Sequence, residues 1–508
     1  MGNIFGTDKR ITLGIWGLGR GLNFISSAKN LNIDVVAGCD IHPQMRENFK
    51  SVAPDAFVTD NEDEFLSRDF DAVLIATYFP DHAKHALKAI AAGKHVMSEV
   101  TSFYTPAQGV ELIEAVEKSG KVYNLLENYP FTKEVMFVTS LWRQGLFGEF
   151  MYGEFEYFHD CRTLTYAYNV GPDGLPIEPG YEVHNWRSVF DIHQYNTHSL
   201  GPLMKITGLR PTSVYAPEGS ITLPGYLSDT TRGAAAPSFV TMSNGGVMRN
   251  LMGNGTSDYH RGMRIWGTKA AAENLHDDLK IRIGGCGNGA LLNIKPEWPE
   301  MAELAAKEGH GGGDFWELYY FARQILTGEP APWDIYNAAD VTITGILAAR
   351  SRHLGGVKFN VPDFRLKADR DLFRNDNEIL PMIDPKHIFP DGHNHAITGN
   401  FNHVMTKLFP KHSDGGVYVL HKAFEGMKIY NYVADGDGRL AIVHSVCKAI
   451  EQLPEIAELC KQAKAIMDAY PDCVAGHTIK KALGYVDLDK LSDVEATRAE
   501  LRSWLETI

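Results

Sequence analysis

Ile11-Thr-Leu-Gly-Ile-Trp-Gly-Leu-Gly-Arg-Gly-Leu-Asn23 sets a short apolar strand directly against a glycine turn that opens a helix, the layout of a dinucleotide-binding site. Gly17 permits the tight turn. Gly19 lets the backbone approach a pyrophosphate, whose charge then sits at the positive end of the following helix. The third glycine of the usual spacing falls at position 22, where the chain has Leu22, and Gly21 stands one place early. A glycine run alone also reads as an ordinary strand-to-helix turn, so the second strand decides. Ile33 to Cys39 is a buried-strand run ending in Asp40, about 20 residues beyond the glycines, where a carboxylate can accept hydrogen bonds from an adenosine ribose. That acid would repel a 2′-phosphate, which favours NAD over NADP.

The βα rhythm continues outward from this unit. Asp71 to Thr77 reads as a strand, Asp81 to Ala92 as a helix, His95 to Ser98 as a strand, Pro106 to Ser119 as a helix and Val122 to Glu127 as a strand. About six parallel strands result, a doubly wound α/β Rossmann domain over residues 1–130. From Gly148 the pattern changes. Phe150 to Phe158, Ser238 to Thr241 and Gly246 to Met252 alternate as antiparallel strands with one face covered, giving an α+β domain with an open antiparallel sheet over residues 131–365. Residues 366–508 form a mostly helical extension. Apolar residues recur at helical spacing in Leu440 to Leu453, Glu455 to Ala469 and Ser492 to Ile508, with breaks expected at Pro454 and Pro471. Such apolar stripes call for a packing or oligomerisation partner, so a homo-oligomer is expected. The His-rich stretch Asp391 to His395 is an alternative cover for the site.

Composition narrows the classes. A chain of 508 residues with 44% hydrophobic content can bury a large core in two or three domains. The formal charge of −14 argues against nucleic acid or an anionic membrane as partner, because those are bound by neutralising phosphate. No run approaches the roughly 18 apolar residues of a membrane span. The polar start, Met1 to Arg10, lacks the apolar core of a secretion signal. Cys39, Cys161, Cys286, Cys447, Cys460 and Cys473 are scattered singly, as reduced thiols of a cytoplasmic protein would be.

Further motifs follow in order: Gly93-Lys-His-Val-Met-Ser-Glu-Val-Thr101, Leu126-Glu-Asn-Tyr129, Gly145-Leu-Phe-Gly-Glu149, Tyr157-Phe-His-Asp-Cys-Arg162, Trp186-Arg187, Tyr195-Asn-Thr-His-Ser-Leu-Gly-Pro202 and His310-Gly-Gly-Gly-Asp-Phe315. Over residues 8–365 the chain resembles the Gfo/Idh/MocA family, in which a Rossmann domain precedes an open sheet that covers the nicotinamide. In that family a strand-end Glu-Lys-Pro usually supplies a lysine, and here Val100 takes its place. The chain thereby looks like the branch of NAD-dependent α-N-acetylgalactosaminidases, glycoside hydrolase family 109. The stretch between Arg187 and Tyr195 is shorter than in those enzymes, and the last 140 or so residues have no counterpart.

The resemblance implies that Tyr157, His159, Tyr195 and His198 are catalytic and that Arg187 and His310 bind substrate. It places Gly17, Leu18, Gly19, Arg20, Asp40, Thr77, His82, Glu99 and Asn128 at the cofactor, with the Thr77 to His82 turn beside it. The residues themselves agree with such roles. Tyr157 and His159 are two apart on a probable strand and share a face. If a helix begins at Tyr195, that residue and His198 share a face; a start between Thr197 and Gly201 puts His198 at the positive end instead. Either placement suits a neutral histidine base.

Metal binding competes as an idea, through His159-Asp160, through His193 with His198, or through Asp391 to His395. None has a firm ligand spacing, and no metal is expected. Neither Ser98 nor Ser199 sits in a nucleophile elbow. The function expected from the resemblance is an NAD-dependent glycosidase acting on a small glycoside by C3 oxidation, elimination of the C1 substituent, water addition and return of the hydride. An NAD-dependent sugar or polyol dehydrogenase is the alternative, and a non-enzymatic sugar- or nucleotide-binding regulator is the third.

Overall fold

The computed structural model describes residues 4–160, 162–166, 190–219, 221–228, 235–254, 262–274, 278–284, 287–298, 300–380, 387–410 and 414–508. Strands β1 (Ile11–Trp16), β2 (Ile33–Cys39), β3 (Phe57–Thr59), β4 (Ala72–Ile75), β5 (His95–Glu99) and β6 (Tyr123–Leu126) form one parallel sheet in the order β3-β2-β1-β4-β5-β6. All four residues of β4 and of β6 are buried, as strands covered on both faces must be. The reversal of strand order beside β1 creates the crevice in which such sheets bind ligands.

The second sheet contains β7 (Phe150–His159), β8 (Pro211–Tyr215), β9 (Ala235–Met242), β10 (Val247–Asn254), β11 (Met263–Gly267), β12 (Ala270–Glu273), β13 (Leu279–Ile283), β14 (Leu291–Ile294) and β15 (Phe359–Asn360). Their order is β14-β13-β12-β11-β7-β10-β9-β8-β15. The sheet is mixed rather than wholly antiparallel, because β7 and β10 run parallel at its centre. The chain leaves β7, passes through the helix Thr197–Thr207 and β8, and returns through the β9–β10 hairpin, which points β10 the same way as β7. Burial alternates along β7: Gly153, Phe155 and Tyr157 face the core, while Glu154 and Glu156 pair with Arg249 on the other face. One hydrophobic core extends from the parallel sheet across the covered face of the mixed sheet.

The C-terminal helices have a second core of their own, including Leu408, Leu420, Val446, Leu453, Ile456, Ile479 and Leu501. Their apolar stripes are therefore covered within the chain. The expected break at Pro454 is absent, and one helix runs from Gly436 to Ala469. An interior proline costs about 3 kcal/mol. Burial of Leu453, Ile456 and Ile466 on the same helix, at roughly 1.5–3 kcal/mol each, outweighs that cost. The helix does end just before Pro471. Ser492 to Ile508 also divides, into Leu488–Ser492 and Val494–Leu505. The stretch before the bundle belongs elsewhere: Arg370 and Arg374 pair with Glu117 and Glu114 on the helix Pro106–Ser119 of the Rossmann sheet.

Among the described residues, no helix is long and apolar enough to cross a membrane.

Candidate active site

At the glycine turn Gly17 adopts φ 94°, and a Cβ there would lie 2.3 Å from the Ala76 carbonyl oxygen. Only glycine meets both demands. Nothing lies within 4 Å of the Cβ position on Gly19, which leaves the backbone open to a close ligand. A Cβ on Gly21 would come within 2.4 Å of Ile15 Cγ2, so Gly21 performs the helix–strand packing usually given to a glycine one position later. Leu22 is thus no defect in the motif. Asp40 stands beside the turn, accepting hydrogen bonds from the Leu18 amide at 2.7 Å and the His42 amide at 2.8 Å. Burial and the neighbouring acids push the Cys39 thiol up to about 12, so it stays protonated.

Arg20 reaches from this turn to two acidic neighbours. Its Nε donates to Glu99 at 2.8 Å, and its two terminal nitrogens donate to the two oxygens of Asp314, each at 2.8 Å. His310 donates from Nδ1 to the same Asp314 at 2.9 Å. Burial opposes the charge on Asp314, but the bonds from His310 and Arg20 outweigh it and hold the carboxyl far below the usual range. Glu317, one turn along the same helix, has no hydrogen-bond partner for either oxygen among the described residues. Burial and the adjacent Asp314 and Glu99 push its carboxyl well above the ordinary value, so it is held neutral. Asn128 is buried with Oδ1 unpartnered among the described residues, close to Gly313. The open glycine, Asp40 and this unpartnered amide fit a bound dinucleotide.

The helix Thr197–Thr207 follows a 3₁₀ turn, Ile192–Tyr195, so His198 occupies its first turn and Tyr195 lies outside it. That settles the two placements open in the sequence in favour of the positive helix end. His198 Nδ1 donates to Glu127 Oε1 at 2.7 Å, with both side chains buried. Glu127 also accepts from the Tyr129 amide at 3.2 Å. This fixes the imidazole tautomer and leaves Nε2 as the basic nitrogen. Burial lowers the His198 pKa, and Glu127 only partly offsets it. The rings of Tyr129, Tyr157 and Tyr195 lie with centroids 4.6, 4.8 and 4.5 Å from His198. Tyr157 donates its hydroxyl to His159 Nδ1 at 3.2 Å. The fold therefore gathers Tyr157, His159, Tyr195 and His198 in one place, from β7, from the 3₁₀ turn Ile192–Tyr195 and from the helix packed on β7.

Other candidates are placed differently. Both ring nitrogens of His82 face backbone carbonyls, of Thr101 at 3.0 Å and of Thr77 at 3.1 Å, so this residue braces its turn. Thr77 bonds through Oγ1 to His85. His193 is committed to Asp191, which also holds Arg352 and His353. The Asp391 to His395 segment is tied to the C-terminal core, with Asn394 donating to the Tyr470 hydroxyl and His393 stacked on Phe389. Among the described residues no three His, Cys, Asp or Glu side chains could together hold a metal ion. Arg187 lies outside the described residues. Sequence reasoning passed over Glu127 and Asp314 although both stand inside quoted motifs, and over Glu317, which carries no local signal.

Comparison with known proteins agrees with this architecture. Residues 11–126 match the oxidoreductase family with an NAD-binding Rossmann fold, and residues 131–214 and 294–368 match the glycosyl hydrolase 109 C-terminal domain. A glycosyl hydrolase family 109 protein of Stenotrophomonas maltophilia is 26% identical over 410 residues, 70% of this chain and 89% of that protein. An α-N-acetylgalactosaminidase of Tannerella forsythia is 28% identical over 378 residues, 65% of this chain and 80% of that enzyme. Levoglucosan dehydrogenase, solved with NADH and levoglucosan, shares the fold with a TM-score of 0.59 at 16% identity, covering 70% of this chain and 100% of its own. The chain thus carries an NAD-binding Rossmann domain that matches the Gfo/Idh/MocA oxidoreductase model, followed by a second domain that matches the glycosyl hydrolase 109 C-terminal model.

Proposed function

We propose that the protein hydrolyses a small glycoside by transient oxidation at C3, elimination of the C1 substituent and addition of water. The observation that carries this reading is the buried His198–Glu127 pair inside a ring of tyrosines, beside a strand end where Val100 cannot serve as a base. NAD, when bound, would supply a reversible hydride acceptor for C3. His198, oriented through Nδ1 by Glu127, takes the hydroxyl proton at Nε2. Once C3 is a ketone the C2 proton is acidic enough to pass to the Tyr157 oxygen as that hydroxyl hands its own proton to His159 Nδ1, and the C1 substituent leaves. His159, bonded to Tyr157, and Arg187 orient the sugar. Arg20, Glu99, Asp40 and Asn128 hold the dinucleotide.

A borrowed hydride requires a retained cofactor, so denatured protein should release NAD(H) into the supernatant. The deciding experiment is a panel of nitrophenyl glycosides with free NADH followed in parallel, repeated in heavy water. Aglycone release without NADH accumulation, and deuterium at C2, support the reading. Stoichiometric NADH with an intact glycosidic bond overturns it in favour of a sugar dehydrogenase. That second reading rests on the same pair, because His198 can take a hydroxyl proton without any elimination.

A further inference from the structure

Away from His198, three helices bring cations to one pocket of about 220 Å³: Arg143 closes the helix Lys133–Arg143, Lys205 lies near the end of Thr197–Thr207, and Arg323 lies in Gly313–Thr327. Tyr320 and the segment Pro330 to Pro332 complete the lining, which contains no acid. A cation near a helix C-terminus has an ordinary explanation in the helix dipole. That explanation accounts for Arg143 and Lys205 singly, and not for Arg323 or for the convergence of the three.

Neither Arg143 nor Lys205 pairs with a carboxylate among the described residues, in a chain with 63 acids against 49 lysines and arginines. Arg323 has one ion pair, at 3.2 Å to the exposed Glu329, and a buried Nε with no hydrogen-bond partner among the described residues. Lys205 rests over the rings of Phe131 and Tyr320. Burial, with Arg143 and Arg323 adding to it, pushes its ammonium down to about 7. Like charges held together in this way are relieved by an anion.

We propose that Arg143, Lys205 and Arg323 form a binding site for a small phosphate-like dianion, either inorganic phosphate or the phosphoryl group of a metabolite. Donors approaching from three helices suit a tetrahedral group with several acceptor oxygens. A planar carboxylate is met by one arginine alone. The pocket is large enough to admit a phosphoryl group.

The test is calorimetric titration of the full-length protein with inorganic phosphate, glycerol 3-phosphate and succinate at constant ionic strength. Saturable phosphate binding at about millimolar Kd or tighter is expected. It should weaken at least roughly tenfold in Lys205→Met and in the more exposed Arg143→Gln, with NAD affinity unchanged as a control for folding. Tighter binding of glycerol 3-phosphate than of phosphate identifies a metabolite phosphoryl group as the occupant, and the reverse identifies the free ion. Absence of saturable binding, binding unaffected by both substitutions, or equal binding of succinate overturns the proposal.

Discussion

Around His198 the interior holds acids and leaves some of their oxygens unpartnered among the described residues, whereas the interior of the C-terminal bundle is aliphatic. Glu317 has no hydrogen-bond partner among the described residues, and Glu127 leaves Oε2 without one there, while Leu453, Ile456, Ala463 and Ile479 fill the bundle. Unpaired buried acids cost stability. Their concentration where Arg20, Asp314 and His198 meet coincides with the candidate active site, where perturbed groups tend to cluster at a cost in folding free energy. The two regions nevertheless touch. Tyr166 and Leu227 insert into the bundle core, and Arg162, clamped to Asp160, lies 4.7 Å from the Tyr418 ring just beyond the end of β7. Tyr418 also donates to Asp160 at 3.1 Å.

If the regions differ in this way, substitutions should separate chemistry from stability. His198→Asn should lower turnover by roughly 10² to 10⁴, the usual worth of a positioned general base, while its amide can still donate to Glu127 and so limit the loss of stability. Steady-state rates and thermal melts on one preparation check both halves, and full activity would remove His198 from the site. Leu453→Ala should do the opposite, costing about 2–5 kcal/mol of bundle stability through the cavity it leaves. Denaturant unfolding measures that loss, and NAD affinity should stay at the wild-type value.

Asp40→Ala tests the cofactor side and should weaken NAD binding by roughly 1.5–3 kcal/mol, the worth of hydrogen bonds to a charged acceptor. The structure adds to this effect, because Asp40 also holds the Leu18 amide of the glycine turn. Unchanged affinity in a titration would mean that another group holds the ribose.

The smallest effect concerns Glu317. Its folded-state pKa is raised, so above its ordinary value near 4.5 the native state keeps a proton that the unfolded chain has lost. Stability from this group is present at acid pH and declines as pH rises. Glu317→Gln should therefore raise the melting temperature at pH 8 and change it little at pH 4. An equal shift at both pH values would show that the carboxyl is not held neutral.

The glycine turn and Asp40 were legible because a dinucleotide fold encodes its site locally: a tight turn needs glycine at Gly17, and the second strand ends in its acid. Tyr157, His159, Tyr195 and His198 were legible as motifs, but their meeting was not. The orientation of β10 escaped a reading of alternation, since parallel and antiparallel neighbours with one covered face share the same period. Pro454 was misread as a break because a local rule was applied where long-range packing prevails.

By itself the sequence determined the Rossmann unit, the change to a second, sheet-bearing domain and the helical character of the extension, since these depend on the period of apolar residues and on turn chemistry over short spans. Only the tertiary structure decided that Glu127 orients His198 across 71 residues and that Arg20 and Asp314 pair across 294. It also decided that the Glu317 carboxyl is pushed above its ordinary value and that the extension has its own core. Charge state and tautomer depend on burial and on neighbours from distant segments, and no local pattern of residues contains that information.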